Sequence, residues 1–561
     1  MTERTGAESA VLELIGFGTR YLFGIPGVHT LPIYDALADH PQLEPVVTRH
    51  EAGATHAADG YARVSGRPGV VCVVPGPGAL NASTGVLCAH SDRIPMIILT
   101  VELDPSERQG AVHEGDLAAM YRPFTKAQLR ITRREQLEDV LRESYRLATS
   151  APAGPIQVLL PLRMLTETLI ERSPVQVTTD DGHGDSAAID QVRAFVQGCA
   201  SPTLVLGTGV MGMQVDALEL ARRLGAPVFT DVALRGIIPE DDPLAAGLLT
   251  WQGANDILAA SDGTLVLGSR LSEITTLNWS TRFPANFARV DADGSQLRSN
   301  YEPVLAVQAD PREVLHELAG TVERRDDSPS PAAECLRAIK SRPLEPFPNS
   351  QSNCIHPLAA VRELRAGLPR NAIVSTDATA TEFWLSEASF PVYSPSGFLL
   401  PEVQQTMGYS VAAAVGAALG AGRGESDRPV ICITGDGSVQ MMLGELATAA
   451  SVGRQLTVVI FEDGYYNALR IYQDGLYGRQ VGVKLGNPDF VALAMAYGAH
   501  GERIDDIVDL REAVERSLRY SALSVIAVTI DPGPLPDRYR RRLEQMTSEN
   551  GLHLGVQNRD R

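Results

Sequence analysis

Short runs of apolar, largely β-branched residues recur along this chain, "PGVVCVVPG", "IPMIILTVE" and "PIQVLLPL" among them, separated by helical stretches such as "TRHEAGATHAADGYARVSG". A strand that is apolar on both faces must be covered on both faces, as in a parallel sheet flanked by crossover helices. The pattern predicts α/β architecture. It breaks near residue 172 into the polar, Gly- and Asp-rich "SPVQVTTDDGHGDSAA" and resumes with "SPTLVLGTGVMG", "APVFTDV" and "GTLVLGSRLSE". It breaks again at "ERRDDSPSPAAECLRAIKSRPLEPFPNS", rich in Pro, Ser and charge. Two linkers imply three domains, at 1–172, 186–325 and 352–540, each a parallel sheet flanked by helices, with a tail over 541–561. The first and third blocks share length and pattern, as duplicated domains would.

The 561 residues are too many for one ordinary core, and 44% of them are hydrophobic, enough to fill several. A formal charge of -19, spread along the chain, repels phosphate backbones and argues against nucleic acid as a partner. The six cysteines lie far apart, mostly inside apolar runs and without a CxxC pair, so they read as core thiols of a reducing compartment. The opening "MTERTGAESA" is too polar for a signal peptide, and no apolar run reaches the roughly 18 residues of a membrane span. A soluble, cytoplasmic protein without a membrane partner is expected.

The candidate chemistry lies in "ITGDGSVQMMLGELATAASVGRQLTVVIFEDGYYNALR". Asp436 ends one apolar run and precedes a helix expected from about Met441 to Val452. Asp463 ends the next run and would lie beside it on the carboxyl edge of a parallel sheet, where open α/β sheets bind ligands. Backbone N–H groups at the following helix start suit a phosphate. Two carboxylates there are hard oxygen ligands for Mg²⁺ shared with a diphosphate. Without a metal they repel by roughly 4 kcal/mol at about 4 Å and an effective dielectric near 20. The other reading is a pair of Asp-Gly turns capping two strands. Neither G-x-G-x-x-G nor G-x-x-x-x-G-K-[ST] occurs here.

This stretch resembles the thiamine diphosphate signature, a GDG triplet followed a few tens of residues later by Asn. It is found in the family of acetohydroxyacid (acetolactate) synthase, benzoylformate decarboxylase and pyruvate decarboxylase. The resemblance implies that Asp436, Asp463 and the carbonyl of Tyr465 hold Mg²⁺ against the cofactor's diphosphate. Gly435, Gly437 and Ser438 would lie around it, with Asp377 of "NAIVSTDAT" nearby. Asp463 stands where Asn is usual, adding a charge while keeping an oxygen ligand of the same length. "FGIPGVHTLPIYDAL", "RHEAGATHAADGYAR", "VPGPGALN" and "SDRIPMIIL" are similar to successive landmarks of the family's pyrimidine-binding domain, in the family's order. Pro26, Gly27 and Asn81 become cofactor contacts on that basis.

Glu51 matches the family's glutamate that hydrogen-bonds N1′ of the aminopyrimidine. The reaction needs such a group, because the cofactor's C2 loses its proton to a 4′-imino nitrogen formed when a carboxylic acid shares its proton with N1′. Met407 of "QTMGYS" matches the apolar wedge that bends the cofactor, and Gln405 would present its carbonyl to the 4′-amino group where Gly is common. In the family the two cofactor ends are held by different subunits, which implies a homodimer or homotetramer.

The motifs look most like the acetolactate synthase branch, implying decarboxylation of a 2-oxo acid and transfer of the acyl-carbanion equivalent to an acceptor. Three positions depart from it. Ile274 replaces an Arg that grips the second substrate's carboxylate, Tyr472 replaces a selective Trp, and His113 of "AVHEGD" replaces a Gln. Loss of a carboxylate-gripping Arg leaves simple, aldehyde-forming decarboxylation as the alternative, with His113 as catalytic proton relay. His29, Tyr466 and Asn467 are further pocket candidates. "PGPLPDRYRRRLEQM" would form a helical lid or a charged surface face. "LLTWQGAND" stands where flavin-dependent relatives read Met-His-Gly, so FAD is not expected. A catalytically silent member of the family is the rival from another class, disfavoured by retention of Glu51 with Asp436.

Overall fold

The computed structural model describes residues 3–103, 110–170, 186–326, 328–343, 354–422 and 428–548. Most of the first linker, residues 327 and 344–350 of the second and the end of the tail lie outside them. The rest of the second is not an open linker: it carries the helix Pro331–Lys340, whose Ala332 and Leu336 are buried in an apolar cluster. The described residues form three six-stranded sheets of parallel strands, plus an antiparallel ribbon of Glu3–Thr5 with Thr168–Ile170. The expected α/β class is therefore observed.

In the first sheet the strands run in the order Glu44–Val47, Tyr21–Gly24, Gly69–Val73, Met96–Glu102, Pro155–Pro161, Ala127–Arg130. The apolar runs "GVVCV" and "PIQVLLP" are buried along their whole length inside this sheet, whereas the edge strand Glu44–Val47 buries only Val46. The second sheet orders Ala245–Leu248, Val228–Thr230, Pro202–Leu206, Gly263–Leu267, Phe287–Asp291, Leu305–Gln308. The third orders Phe398–Leu399, Ile373–Thr376, Val430–Gly435, Leu456–Glu462, Leu523–Thr529, His500–Ile504. The chain order reverses between Tyr21–Gly24 and Gly69–Val73 in the first sheet and between Ile373–Thr376 and Val430–Gly435 in the third. Such switch points open a crevice at the carboxyl ends of the strands.

By backbone contacts the chain divides into two compact units. One joins Met1–His183 with Gly408–Val430 and Met442–Leu456; the other joins Gly184–Met407, Ile431–Met441 and Thr457–Arg561. Two helices of the third sequence block are thus part of the first unit. The Ala-rich helix Ser410–Gly420 packs on the helix Glu51–Ser65 so closely that a Cβ on Gly416 would stand 1.7 Å from the Ala57 carbonyl. A buried polar network accompanies this contact. Arg63 bridges Asp59 at 2.6 Å and Asp92 at 2.8 Å, and Tyr409 donates to Asp59 at 2.6 Å.

The helix expected over Met441–Val452 is broken. A single turn, Asp436–Val439, runs into a 3-10 turn, Gln440–Met442, and a helix restarts at Glu445–Ser451. The break falls where the chain passes from one unit to the other. Cys72, Cys88, Cys199 and Cys432 are buried, Cys335 and Cys354 partly so, and all six are unbridged. Among the described residues no helix is long and apolar enough to cross a membrane.

Candidate active site

In the first unit, the predicted residues collect at the switch point of its sheet. Pro26, Gly27 and His29 follow strand Tyr21–Gly24, where Thr30 closes the turn by accepting from Gly27 N at 3.0 Å. Glu51 is the first residue of its helix, capped by His50, whose Nδ1 accepts from Ala52 N at 3.1 Å. Asn81, on the helix Pro77–Asp92, donates to Oε2 of Glu51 at 3.0 Å. Tyr121, unnoticed in the sequence, donates to the Ala79 carbonyl at 2.5 Å, and burial followed by the Glu51 charge pushes its phenol up.

His29 and His113 face each other with ring centroids 5.2 Å apart. Both Nδ1 atoms are buried without a hydrogen-bond partner among the described residues. His113 sits in the left-handed region at φ 69°. Burial, and next the proximity of His113, lower the His29 pKa. The two rings were separate candidates in the sequence, 84 positions apart, and the fold brings them together.

In the second unit, Asp436 and Asp463 stand at the ends of neighbouring parallel strands whose register includes Gly435 opposite Phe461. The Asp436 carboxylate is 2% exposed and accepts from Gly437 N at 2.8 Å and from Gly464 N and Asn487 Nδ2 at 2.7 Å each. Asp463 accepts from Tyr465 N at 3.0 Å. Burial raises the Asp436 pKa, and burial followed by the Asp436 charge pushes Asp463 up to about 7. Among the described residues no cluster of three or more His, Cys, Asp or Glu side chains suits a metal. A cation here would draw its remaining ligands from backbone, ligand and water oxygens, as Mg²⁺ commonly does.

Asp377 lies across the switch point, accepting from Thr434 Oγ1 at 2.5 Å. Beside it, Thr379 Oγ1 is buried with no partner among the described residues, and space next to Gly435 is bounded by the hydroxyls of Thr379 and Thr381. These hydroxyls were missed; a Thr-rich turn after a strand, "TDATATEF", was their only signal. Asn487 was missed because 51 residues separate it from Asp436. Ser438 is fully buried and the Tyr466 ring packs over Gly437.

The loop Pro401–Met407 holds Gln405 at φ 48°, with its Nε2 donating to the Glu402 carbonyl at 2.7 Å. Glu402 itself accepts from Thr275 Oγ1 at 2.6 Å and Ala233 N at 3.0 Å, anchoring the loop. Met407 stays partly exposed, unlike a core methionine. Ile274, by contrast, is buried in an apolar cluster and offers only its carbonyl, which accepts from Arg538 at 3.0 Å. The C-terminal helix Asp537–Ser548, expected as a lid or a charged surface face, is docked on its own unit through its arginines. Arg541 donates to the Thr250 carbonyl and Arg542 to Glu273 at 2.7 Å. Tyr539 packs at 4.5 Å on Phe383 and 4.8 Å on Tyr472. Trp251 of "LLTWQGAND" donates its indole N–H to the Ser386 carbonyl at 2.6 Å.

Family models for the N-terminal TPP binding domain, the central domain and the C-terminal TPP binding domain of thiamine pyrophosphate enzymes match residues 4–120, 189–318 and 377–528. The chain belongs to the thiamine pyrophosphate enzyme family. This TPP enzyme is 31% identical to a probable acetolactate synthase large subunit of Methanococcus aeolicus, over 94% of this chain and 92% of that protein. It is also 31% identical to a probable 2-ketoarginine decarboxylase of Pseudomonas aeruginosa, over 93% of each chain. Its fold matches the thiamine diphosphate-dependent 4-hydroxybenzoylformate decarboxylase of Rhodococcus jostii RHA1 with a TM-score of 0.79, covering 94% of this chain and 99% of that one, at 24% identity. The family resemblance read from the sequence is borne out, and with it an enzyme family acting on small 2-oxo acids.

Proposed function

We propose that this TPP enzyme removes CO₂ from a 2-oxo acid and completes the reaction by protonation, releasing an aldehyde. The observation that carries this reading is the His29–His113 pair, two imidazoles side by side with unpartnered buried Nδ1 atoms. A neutral imidazole carries one N–H donor and one acceptor nitrogen, so two side by side can pass a proton along. When bound, thiamine diphosphate supplies the carbon nucleophile that adds to the oxo group and accommodates the electron pair left by CO₂.

The residues present fit that cofactor. Asp436 and Asp463, with the Tyr465 carbonyl, would hold Mg²⁺, which offsets the burial and the like-charge repulsion that together raise Asp463. The orphaned Thr379 hydroxyl suits a diphosphate oxygen. Glu51, oriented by Asn81, would hold a proton at N1′ of the pyrimidine; Gln405 would offer its carbonyl and Met407 its side chain to the rings. Val28, Leu31, Leu80 and Val112 expose large apolar side chains close in sequence to His29, Asn81 and His113. That supports a homodimer or homotetramer in which a second protomer covers this surface.

Carboligation to a second carbonyl compound is the second reading, favoured by the likeness to acetolactate synthases. The buried Ile274 weighs against it, since an apolar side chain cannot grip a second carboxylate. The test is CO₂ release from aliphatic, aromatic and guanidino 2-oxo acids with thiamine diphosphate and Mg²⁺, followed by product analysis. Aldehyde as the main product is expected. An acetohydroxy acid or hydroxyketone would overturn the proposal in favour of carboligation, and no turnover on any acid would indicate a silent family member.

A further inference from the structure

Glu445 was not noticed as a functional candidate in the sequence, yet its carboxylate lies at the start of the Glu51 helix. It is 1% exposed. Its Oε1 accepts from the backbone N–H of both Arg49 and His50, at 3.0 Å each, across 396 and 395 residues of sequence. Its Oε2 accepts from Thr448 Oγ1 at 2.7 Å. A buried carboxylate is costly unless its oxygens are hydrogen-bonded, and here both are.

The glycine of "RHEAG" has a physical reason in the same contact. A Cβ on Gly53 would stand 2.3 Å from Oε1 of Glu445, so only glycine two residues after Glu51 admits this carboxylate. The two clamped peptides immediately precede Glu51. Holding them fixes the extended backbone of the cap residue His50, at φ −150° and ψ 146°, and so the direction in which the helix launches its first side chain.

We infer that Glu445 is the positioning residue that aims the Glu51 carboxyl, acting through the Arg49–His50 peptides and not through contact with substrate. The inference rests on the proposed role of Glu51. Its chemistry predicts that reach matters and charge does not. Glu445→Gln keeps an oxygen at Oε1 for both N–H groups, while Glu445→Asp keeps the charge but draws the acceptor back by one methylene.

The test measures kcat and KM together with amide exchange of Arg49 and His50 in the full-length chain, with and without thiamine diphosphate. Glu445→Asp should lose about 100-fold in kcat at nearly constant KM, the scale of a 1 Å misplacement. Its two amides should exchange faster. Glu445→Gln should stay within about threefold of the parent, its amides protected, because both acceptor bonds are retained. Thr448→Val, which frees Oε2 without removing the clamp, should fall between them and serves if Glu445→Asp does not fold. Adding Glu445→Asp to Glu51→Gln should cost nothing more, because both act at one group.

Equal losses in the Gln and Asp variants, unchanged exchange, or additive losses in the double variant would overturn the inference. An active Glu51→Gln would fell the role of Glu51 itself and the inference with it. An inactive Glu51→Gln beside an unaffected Glu445→Asp fells the inference alone.

Discussion

The Asn81 side-chain amide donates to Oε2 of Glu51 at 3.0 Å, and the two residues come from helices that follow different strands of the first sheet. A carboxyl held on one oxygen by an amide keeps the other available to a ligand. Glu51→Gln should lower kcat by about 100-fold to 10,000-fold, the usual worth of a positioned proton donor, with unchanged circular dichroism. Asn81→Ala should cost roughly tenfold, because the proton remains and only its aim is lost.

Asp463 supplies a pH signature for the metal-stripped protein. Its folded pKa of about 7 lies above the roughly 3.9 of an unfolded aspartate. The native state therefore holds a proton that the unfolded chain has released. Stability should fall as pH rises from about 4 to about 7, by up to a few kcal/mol, and level off above. Asp463→Asn removes the titrating group and should flatten that slope in urea titrations run with EDTA. Mg²⁺ with thiamine diphosphate should stabilise the parent most at the alkaline end.

Gln405 occupies the left-handed region at φ 48°, a conformation that glycine adopts freely. Gln405→Gly should leave stability within about 1 kcal/mol, relief of backbone strain offsetting the lost bond to the Glu402 carbonyl. Gln405→Val should destabilise by about 1–2 kcal/mol, because a β-branched side chain tolerates this backbone poorly. Urea midpoints separate the two.

Arg538 is 4% exposed, stands 3.6 Å from the fully buried Glu382 and covers the Phe383 ring at 5.1 Å. Arg538→Met would leave the Glu382 carboxylate buried without its cation. A loss of about 3–5 kcal/mol is expected. Limited proteolysis should then cut within Asp537–Ser548, the helix that this arginine docks.

Much of the scaffold was legible because buried parallel strands leave a strong local imprint: "GVVCV", "MIILTVE" and "PIQVLLP" lie in runs that read as strands, and each is one. Local pattern also placed Asp436 and Asp463 on one sheet edge, since both end strands that adjoin. What escaped was set by distant partners. Glu445 looks like any polar residue opening a helix until Arg49 and His50 are brought to it. Asn487 reads as a loop residue until it meets Asp436. The helix over Met441–Val452 broke at a unit boundary that no propensity encodes. Thr379 lacked any periodic signal, because a single hydroxyl after a strand has none.

The first compact unit is assembled from three separated stretches, the last ending at Leu456. During synthesis, its opening segment ends at residue 183 and must wait for the ribosome to deliver the next 273 residues. At 5–20 residues per second that is roughly 15 to 55 s. Through that interval the groove that receives Gly416, and the peptides that Glu445 will clamp, stay uncovered. Newborn chains should therefore depend on holding factors early, and truncations ending before Leu456 should aggregate even though they contain the whole first sheet.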